Sequence, residues 1–548
     1  MNAKLILVSS LEKVFTDEEP RAFDGHVEGL LNETASFQVA WRCTDAGFTR
    51  DFVRLRIESP IAEFVRVRKV RQVSVFYPAP ADADDNFLRK TPGLYPDLLT
   101  EIENDRLHIW GHAWESAWLD VEADENALTA GIYPIDVVLT DANGNELNRV
   151  HAEYRRVGAS LPAQKLIHTQ WFHCDCLAQY YGVEMFSEEF WRICENFMRT
   201  AAKRGINSIL TPIHTPPLDT AVGGERMTTQ LVDITKTEAG YEFGFDRLAR
   251  WVETAHRAGM EWFEMAHLFT QWGAAHAPKI VANVNGEIKH IFGWETEATG
   301  SDYVEFLNAY IPALRKALGD LGISDKCIFH VSDEPNEKNL ESYMAAKNAV
   351  SPLLENCLII DALSNIKFYE SGAVEHPVPS NDHIAPFLEA NIEGLWTYYC
   401  CSQYKKVSNA FMAMPSARTR ILGVQLYKYR IAGFLQWGYN FYNSQYSEYP
   451  VDPYLTTDGD GFTPAGDCFI VYPGADGTAL ESLRLMAMNE AMNDLRALSL
   501  LESLRGREFV MSLVEDGVTV EFDNYPLSPN YFMNLRRRVN AEIEKALA

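Results

Sequence analysis

The stretch "CIFHVSDEPNEKN", residues 327–339, sets two acids side by side, Asp333 and Glu334, behind an apolar run with the character of a buried strand. Paired carboxylates are the equipment of glycoside hydrolysis, in which one acid protonates the leaving oxygen and a second serves as base, nucleophile or electrostatic partner. Acids on opposite sides of the bond stand about 5–5.5 Å apart for retention and about 6.5–9.5 Å apart for inversion. Neighbours in sequence share one side of a cleft, so a separate nucleophile belongs on another strand. From Gly394 to Ser447 there is no Asp or Glu, although the chain carries 76 of them in 548 residues. At that frequency about seven are expected over such a stretch. Two possibilities stay open: Asp361, at the end of another apolar run, is a remote candidate nucleophile, or the substrate itself supplies the attacking atom. In the second case a 2-acetamido oxygen attacks C1, one acid protonates the leaving oxygen, and its neighbour orients the acetamido N–H and stabilises the developing charge. A plainer reading makes Glu334 a helix cap and leaves only Asp333 functional. Adjacent side chains of a regular strand face opposite ways, and both acids reach a cleft only where the strand frays, which Pro335 favours.

Aromatic and polar residues crowd other strand ends: "HLFTQWG" (267–273), "LWTYYC" (395–400) and "LQWGYNFYNSQY" (435–446). Rings that pack on sugar C–H faces, mixed with amides and imidazoles that reach hydroxyls, are the composition of a sugar cleft, although core packing explains any one of them. Trp437 and Tyr398 are the expected walls of an acetamido pocket, Tyr398 donating its hydroxyl unless Tyr399 takes its place. Trp396 and Asn440 are expected at the sugar ring and its hydroxyls. His267, Gln271 and Trp272 form the opposite wall, and His330 and Asp361 complete the candidate substrate contacts.

These residues need a frame. Residues 1–158 alternate apolar and polar positions between turns, with a hairpin signal at Asn143-Gly144, and predict an N-terminal β-sandwich. From 159 to 470 short apolar runs alternate with amphipathic helices: 165–173, 206–211, 261–269, 327–333, 357–362, 383–387, 392–399 and 433–440 read as eight strands. That rhythm predicts an α/β fold of the (β/α)8 TIM-barrel type, whose strand ends build the active face. A doubly wound sheet is the alternative, but no Gly-rich dinucleotide turn follows the first strand. Residues 471–548 read as C-terminal helices with a small β region.

With 49 Lys and Arg against 76 Asp and Glu, the net charge of −27 repels nucleic acid and anionic membranes. No apolar run approaches the length of a membrane span, and the first twenty residues lack a signal-peptide pattern, so a cytoplasmic location is expected. Nine cysteines in apolar surroundings suit buried thiols. "HCDC" (173–176) lacks a partnering pair at metal-site spacing, so neither a metal nor another cofactor is expected.

"HVSDEP", "HLFTQWGAAHAPKI", "TPPLDTAVGGER" and "QLYKYRIAGFLQWGYNFYNSQYS" resemble the catalytic domain of glycoside hydrolase family 123, also called domain of unknown function 4091, over roughly residues 165–505. The resemblance implies a barrel behind a β-sandwich and a retaining, substrate-assisted β-N-acetylgalactosaminidase. It makes Asp333 the acetamido-orienting residue and Glu334 the general acid/base, with a small glycoside or oligosaccharide as partner. The competing classes are a barrel glycosidase for a sugar without the acetamido group, using Asp361 or a loop acid, and a non-catalytic sugar-binding protein.

Overall fold

The computed structural model describes residues 1–335 and 337–547. The alternation of the N-terminal runs is that of strands with one buried face. In Ala35–Cys43, Phe37, Val39 and Trp41 point inward while Ser36 and Arg42 do not join the core. Five antiparallel strands, in the order Ala3–Ser9, Ala35–Cys43, Glu115–Val121, Val65–Val75, Gly93–Thr100, make one sheet. The other runs His26–Leu30, Glu146–Val157, Gly131–Asp141, Arg50–Glu58, Leu107–Trp110. Phe37, Trp41 and Leu119 of the first meet Ile109, Val137, Leu139 and Tyr154 of the second in one core, the packing of two sheets face to face. The Asn143-Gly144 turn joins Gly131–Asp141 to Glu146–Val157, with Gly144 at φ 87°.

Beyond it, the short apolar runs are strands buried on both faces. Among the described residues eight parallel strands form one sheet: Ile167–Gln170, Ser208–Thr211, Trp262–Met265, Cys327–Phe329, Leu358–Leu363, His376–Pro379, Trp396–Tyr398 and Gly433–Gln436. The first pairs with the eighth, and the sixth approaches the seventh through a Ser380–Tyr398 bridge, so the sheet curls into a nearly closed barrel. Ile167, Leu210, Ile328, Ile360, Val378, Trp396 and Leu435 fill its interior. Gly433 has no side chain because the Trp396 indole lies within 2.0 Å of where a Cβ would stand. Helices connect the strands. Glu188–Lys203, capped by Ser187, lays Phe190, Trp191, Phe197 and Met198 against the sheet, and Leu483–Arg505 follows the eighth strand.

Two expectations are corrected. The sixth strand is His376–Pro379, and the expected 383–387 overlaps a short helix, Ala385–Glu389, with Pro386 in its first turn. Prolines at 377 and 379 hide a strand from a propensity reading, yet they are tolerated where the ladder is all but open. In the C-terminal segment the β content is the two-residue ladder of Tyr472–Pro473 with Ala479–Leu480. The run "GVTVEF" (517–522) is irregular, its carbonyls at Val520 and Glu521 taken by Lys428 Nζ and Gln425 Nε2 instead of by a partner strand. A four-stranded sheet that the sequence reading did not anticipate (Gly240–Gly244, Asp233–Thr237, Ile280–Val284, Glu287–Phe292) braces the long loops after the second and third barrel strands.

Sheets and barrel meet through buried charge. Asp97, on an N-terminal strand, takes a bidentate pair from Arg484 on the helix after the eighth strand, at 2.9 and 3.0 Å, and a 2.7 Å bond from the Tyr472 hydroxyl. Arg484 is 1% exposed. Asp97→Ala strands that guanidinium without its carboxylate and is expected to cost about 3–5 kcal/mol of stability, read as a lowered urea midpoint with an unchanged slope.

Candidate active site

The fourth barrel strand ends at Phe329, and the segment beyond it is held by its neighbours, not by the ladder. Asp361 Oδ1 accepts the N–H of Val331 (3.1 Å) and Ser332 (3.3 Å). The Ser332 hydroxyl donates to the Thr270 carbonyl at 2.8 Å, and the Trp272 N–H to the Asp333 carbonyl at 2.9 Å. Glu334 then takes φ +43°, a left-handed conformation that costs about 1–3 kcal/mol for a residue bearing a Cβ. Turning out of the strand lets both acids line the same cleft.

That cleft is lined by Asp333, Glu334, Tyr398, Trp437, Gln271 and Trp272, together with Trp171, His173, Asp219, Cys400, Cys401 and Phe462 among others. Rings beside carboxyls and an amide are a lining that suits a sugar. The Tyr398 hydroxyl donates to Glu334 Oε1 at 2.8 Å. Trp437 is set by its indole N–H on Asp467 Oδ2 (2.8 Å) and by edge contacts with Phe441 and Phe462. Trp272 stands at the rim, 45% exposed. Tyr399 points the other way, packed on Phe434 outside the barrel.

Burial, then the charge of Glu334, push the Asp333 carboxyl well above its usual range, and burial raises Glu334 against the opposing effect of the Tyr398 hydrogen bond. Two neighbouring carboxyls disfavour each other's ionisation, which adds to burial in favouring the protonated form and suits the pair to act as an acid.

Other candidates fall elsewhere. Trp396 and Asn440, placed at the sugar by the sequence reading, do not line the cleft. Trp396 lies one layer deeper in the barrel interior, and Asn440 is tied to the backbone of His173 through both ends of its amide. His267, His330 and Asp361 are buried behind the cleft rather than lining it. Asp361 is engaged on both oxygens, Oδ1 by the two backbone N–H groups and Oδ2 by the Tyr343 hydroxyl, which removes it as a nucleophile poised in the cleft.

Three acids escaped the sequence reading. Glu264, on the third strand, is fully buried and accepts from Trp171 Nε1 (2.8 Å) and the Thr169 hydroxyl, with His330 Nε2 at 2.7 Å. A carboxylate inside the apolar run "EWFEMAHL" was the available signal, since such a group persists only with partners. Asp219 lies in a Pro-rich loop with no periodicity to mark it. Its N–H donates to Gln271 Oε1 (2.8 Å), and its Oδ2 has no partner among the described residues, nor has Gln271 Nε2. Burial raises Asp219 to about 6. Asp467, behind Trp437, is raised by burial to about 7. The "HCDC" stretch is structural: Asp175 pairs with Arg226 at 2.8 Å, Arg226 reaches His173 Nδ1 at 3.1 Å, and both cysteines are buried thiols. Among the described residues no group of three or more His, Cys, Asp or Glu is placed to hold a metal ion, and no helix is long and apolar enough to cross a membrane.

Residues 171–501, more than half of the chain, match the glycoside hydrolase 123 catalytic domain. The chain belongs to glycoside hydrolase family 123. It shares its fold with a family 123 glycoside hydrolase from Clostridium perfringens, at 13% identity and a TM-score of 0.73, with 99% of this chain and 98% of that one covered. Weaker likenesses are to Parabacteroides merdae beta-glucuronidase (9% identity, TM-score 0.32, covering 89% of this chain and 51% of that one) and to the GH2 beta-galacturonidase of Eisenbergiella tayi (11%, 0.31, covering 90% and 73%). No curated protein matches the sequence. Membership of family 123 makes the chain a glycosidase with a carbohydrate substrate, and the cleft of Asp333 and Glu334 lies within the matched segment.

Proposed function

We propose that this family 123 member is a retaining, exo-acting glycosidase that releases terminal β-linked N-acetylhexosamine, with GalNAc as the sugar, by substrate assistance. The observation that carries the reading is the entry of adjacent Asp333 and Glu334 into one cleft by the turn at φ +43°. Side by side, they divide the work as that mechanism requires. Glu334, protonated, gives its proton to the glycosidic oxygen. Asp333, charged, accepts from the acetamido N–H, aims the carbonyl oxygen at C1 and stabilises the oxazolinium charge that forms. Glu334 then takes a proton from water as the ring opens, and the two inversions at C1 leave the product with retained configuration. Trp437 and Tyr398 wall the acetamido group in this reading, while Gln271 and Asp219 offer a donor and an acceptor to hydroxyls. The C. perfringens relative is described in connection with glycolipid glycan hydrolysis. For this chain we infer small glycosides taken up into the cytoplasm, with an accessory β-sandwich to about residue 158, a catalytic barrel to about 470 and a closing helical segment.

A panel of aryl β-glycosides with and without the 2-acetamido group tests the reaction. Turnover confined to the acetamido sugars is expected, and equal turnover of plain galactosides or glucosides would overturn it. The second reading, a glycosidase with its own nucleophile, is favoured by one observation: Asp219 lines the cleft and its Oδ2 has no partner among the described residues. In that case Asp219→Ala abolishes turnover of every substrate and added azide restores it as a glycosyl azide.

Tyr398→Phe gives a pH test of the acid. The hydrogen bond from Tyr398 lowers the Glu334 pKa in the native enzyme, so its removal raises that pKa. A general acid works below its pKa, so the alkaline limb of kcat/KM is expected to move to higher pH in Tyr398→Phe. A limb that stays in place would remove Glu334 from the acid role.

A further inference from the structure

The mouth of the cleft is where the backbone departs furthest from ordinary conformations. After the third barrel strand the chain runs through three successive residues of positive φ, Trp272 at +60°, Gly273 at +127° and Ala274 at +53°. The loop after the eighth strand has a second such turn, with Tyr446 at +58° and Ser447 at +54°. Residues bearing a Cβ hold that conformation only where their surroundings impose it. Here they do. The Asn339 side chain donates to the Trp272 carbonyl at 2.6 Å and stands where a Cβ at residue 273 would have to go. The Ser342 hydroxyl donates to the Gly273 carbonyl at 2.7 Å, and the Ser447 hydroxyl to the Asp219 carbonyl at 2.8 Å.

Each turn carries an exposed ring. Trp272 is 45% exposed and Tyr446 36%, and the two meet edge to face, with centroids 6.1 Å apart and planes at 84°. A tryptophan is on average highly buried, so a strained turn that holds one outward against a second outward ring marks a contact surface. Neither the Trp272 indole N–H nor the Tyr446 hydroxyl has a partner among the described residues. The corner adjoins the acid pair and extends away from it. The Trp272 N–H donates to the Asp333 carbonyl at 2.9 Å, one residue from Glu334, and Trp272 lines the cleft, whereas Tyr446 lies beyond its lining.

We propose that Trp272 and Tyr446 form an aglycone subsite that takes a sugar ring as the leaving group. A pyranose offers a C–H face to one ring and hydroxyls to an indole N–H and a phenol, and the corner presents both kinds of partner at right angles. The inference rests on the reading above, in which the N-acetylhexosamine fills the inner cleft and Glu334 protonates the oxygen that joins it to the next group. It makes the chain selective for the second sugar of an oligosaccharide as well as for the first.

The test compares leaving groups that do and do not reach the corner. kcat/KM is measured on β-N-acetylgalactosaminyl azide, whose leaving group has no ring, and on disaccharides of the same sugar β-linked to galactose, glucose or N-acetylglucosamine. The ratio of the best disaccharide to the azide is expected to fall about three- to tenfold in Trp272→Ala, the worth of one ring contact. In Tyr446→Phe, which keeps the ring and loses the hydroxyl, it should fall by less. If Trp272→Ala does not fold, Tyr446→Ala decides, since its side chain lies outside the inner cleft. Equal losses on azide and disaccharide, or no loss on either, overturn the proposal, as does an unaltered enzyme that hydrolyses the azide and none of the disaccharides. An unaltered enzyme inactive on the azide and on every disaccharide is a different outcome, because it sinks the N-acetylhexosaminidase reading itself and the subsite falls with it.

Discussion

Glu334→Gln is expected to lose about 10²- to 10⁴-fold in kcat/KM on glycosides with poor leaving groups, the span that general acid catalysis contributes. On activated aryl glycosides, whose leaving group departs as a phenolate with little help, the first step should be nearly spared. The contrast is the diagnostic, and equal losses on both classes would show that Glu334 serves folding or binding and not proton transfer. The amide keeps the size of the side chain, and its carbonyl can still accept the Tyr398 hydroxyl, so the left-handed turn that carries residue 334 remains in place.

Asp333 should fail in the opposite pattern. Orientation of the acetamido group is needed whatever leaves, so Asp333→Asn slows activated and unactivated substrates alike. A stable thiazoline is expected to inhibit competitively, because it matches the bicyclic state the cleft is built to stabilise. Asp333→Ala removes the carboxylate that would pair with its ring nitrogen, a charge-assisted bond typically worth about 1.5–3 kcal/mol, or roughly ten- to a hundredfold in affinity. A 2-deoxy-2-fluoro glycoside should leave no lasting adduct on the protein. Mass spectrometry that finds one on Asp219 would establish a protein nucleophile and replace the substrate-assisted reading.

The barrel could be read because its strands are short, apolar and punctuated. Seven of the eight expected runs overlap observed strands; the eighth, 383–387, does not, and the strand found instead, "HPVP" (376–379), is half proline, the residue least associated with strands. Depth was harder to read than position. The period of two puts Trp396 and Tyr398 on one face of the seventh strand, but only the three-dimensional stagger shows that Tyr398 reaches the cleft while Trp396 fills the barrel. The same limit applies to Asp361, whose place near a strand end marks it as functional while its partners show it facing the backbone of the neighbouring strand's loop. Asp219 sits in a loop whose course depends on contacts from Ser447 and Gln271, more than two hundred and about fifty residues away in sequence, and no local pattern encodes those.

The pairing of Asp97 with Arg484 also bears on heredity. Accessory sheets are commonly exchanged between enzymes when they meet a catalytic body through water, because neither side then depends on the other for a buried partner. Here the helix after the eighth barrel strand presents a buried guanidinium whose carboxylate is encoded nearly four hundred residues earlier, with the Gly466 and Phe469 carbonyls as its other acceptors. A recombinant that received this barrel with a foreign sheet would inherit the cation without its anion, and would be selected against for misfolding before its activity was ever tried. The N-terminal sheets and the barrel are therefore expected to descend together, and a change at position 97 in any lineage should be accompanied by one at position 484.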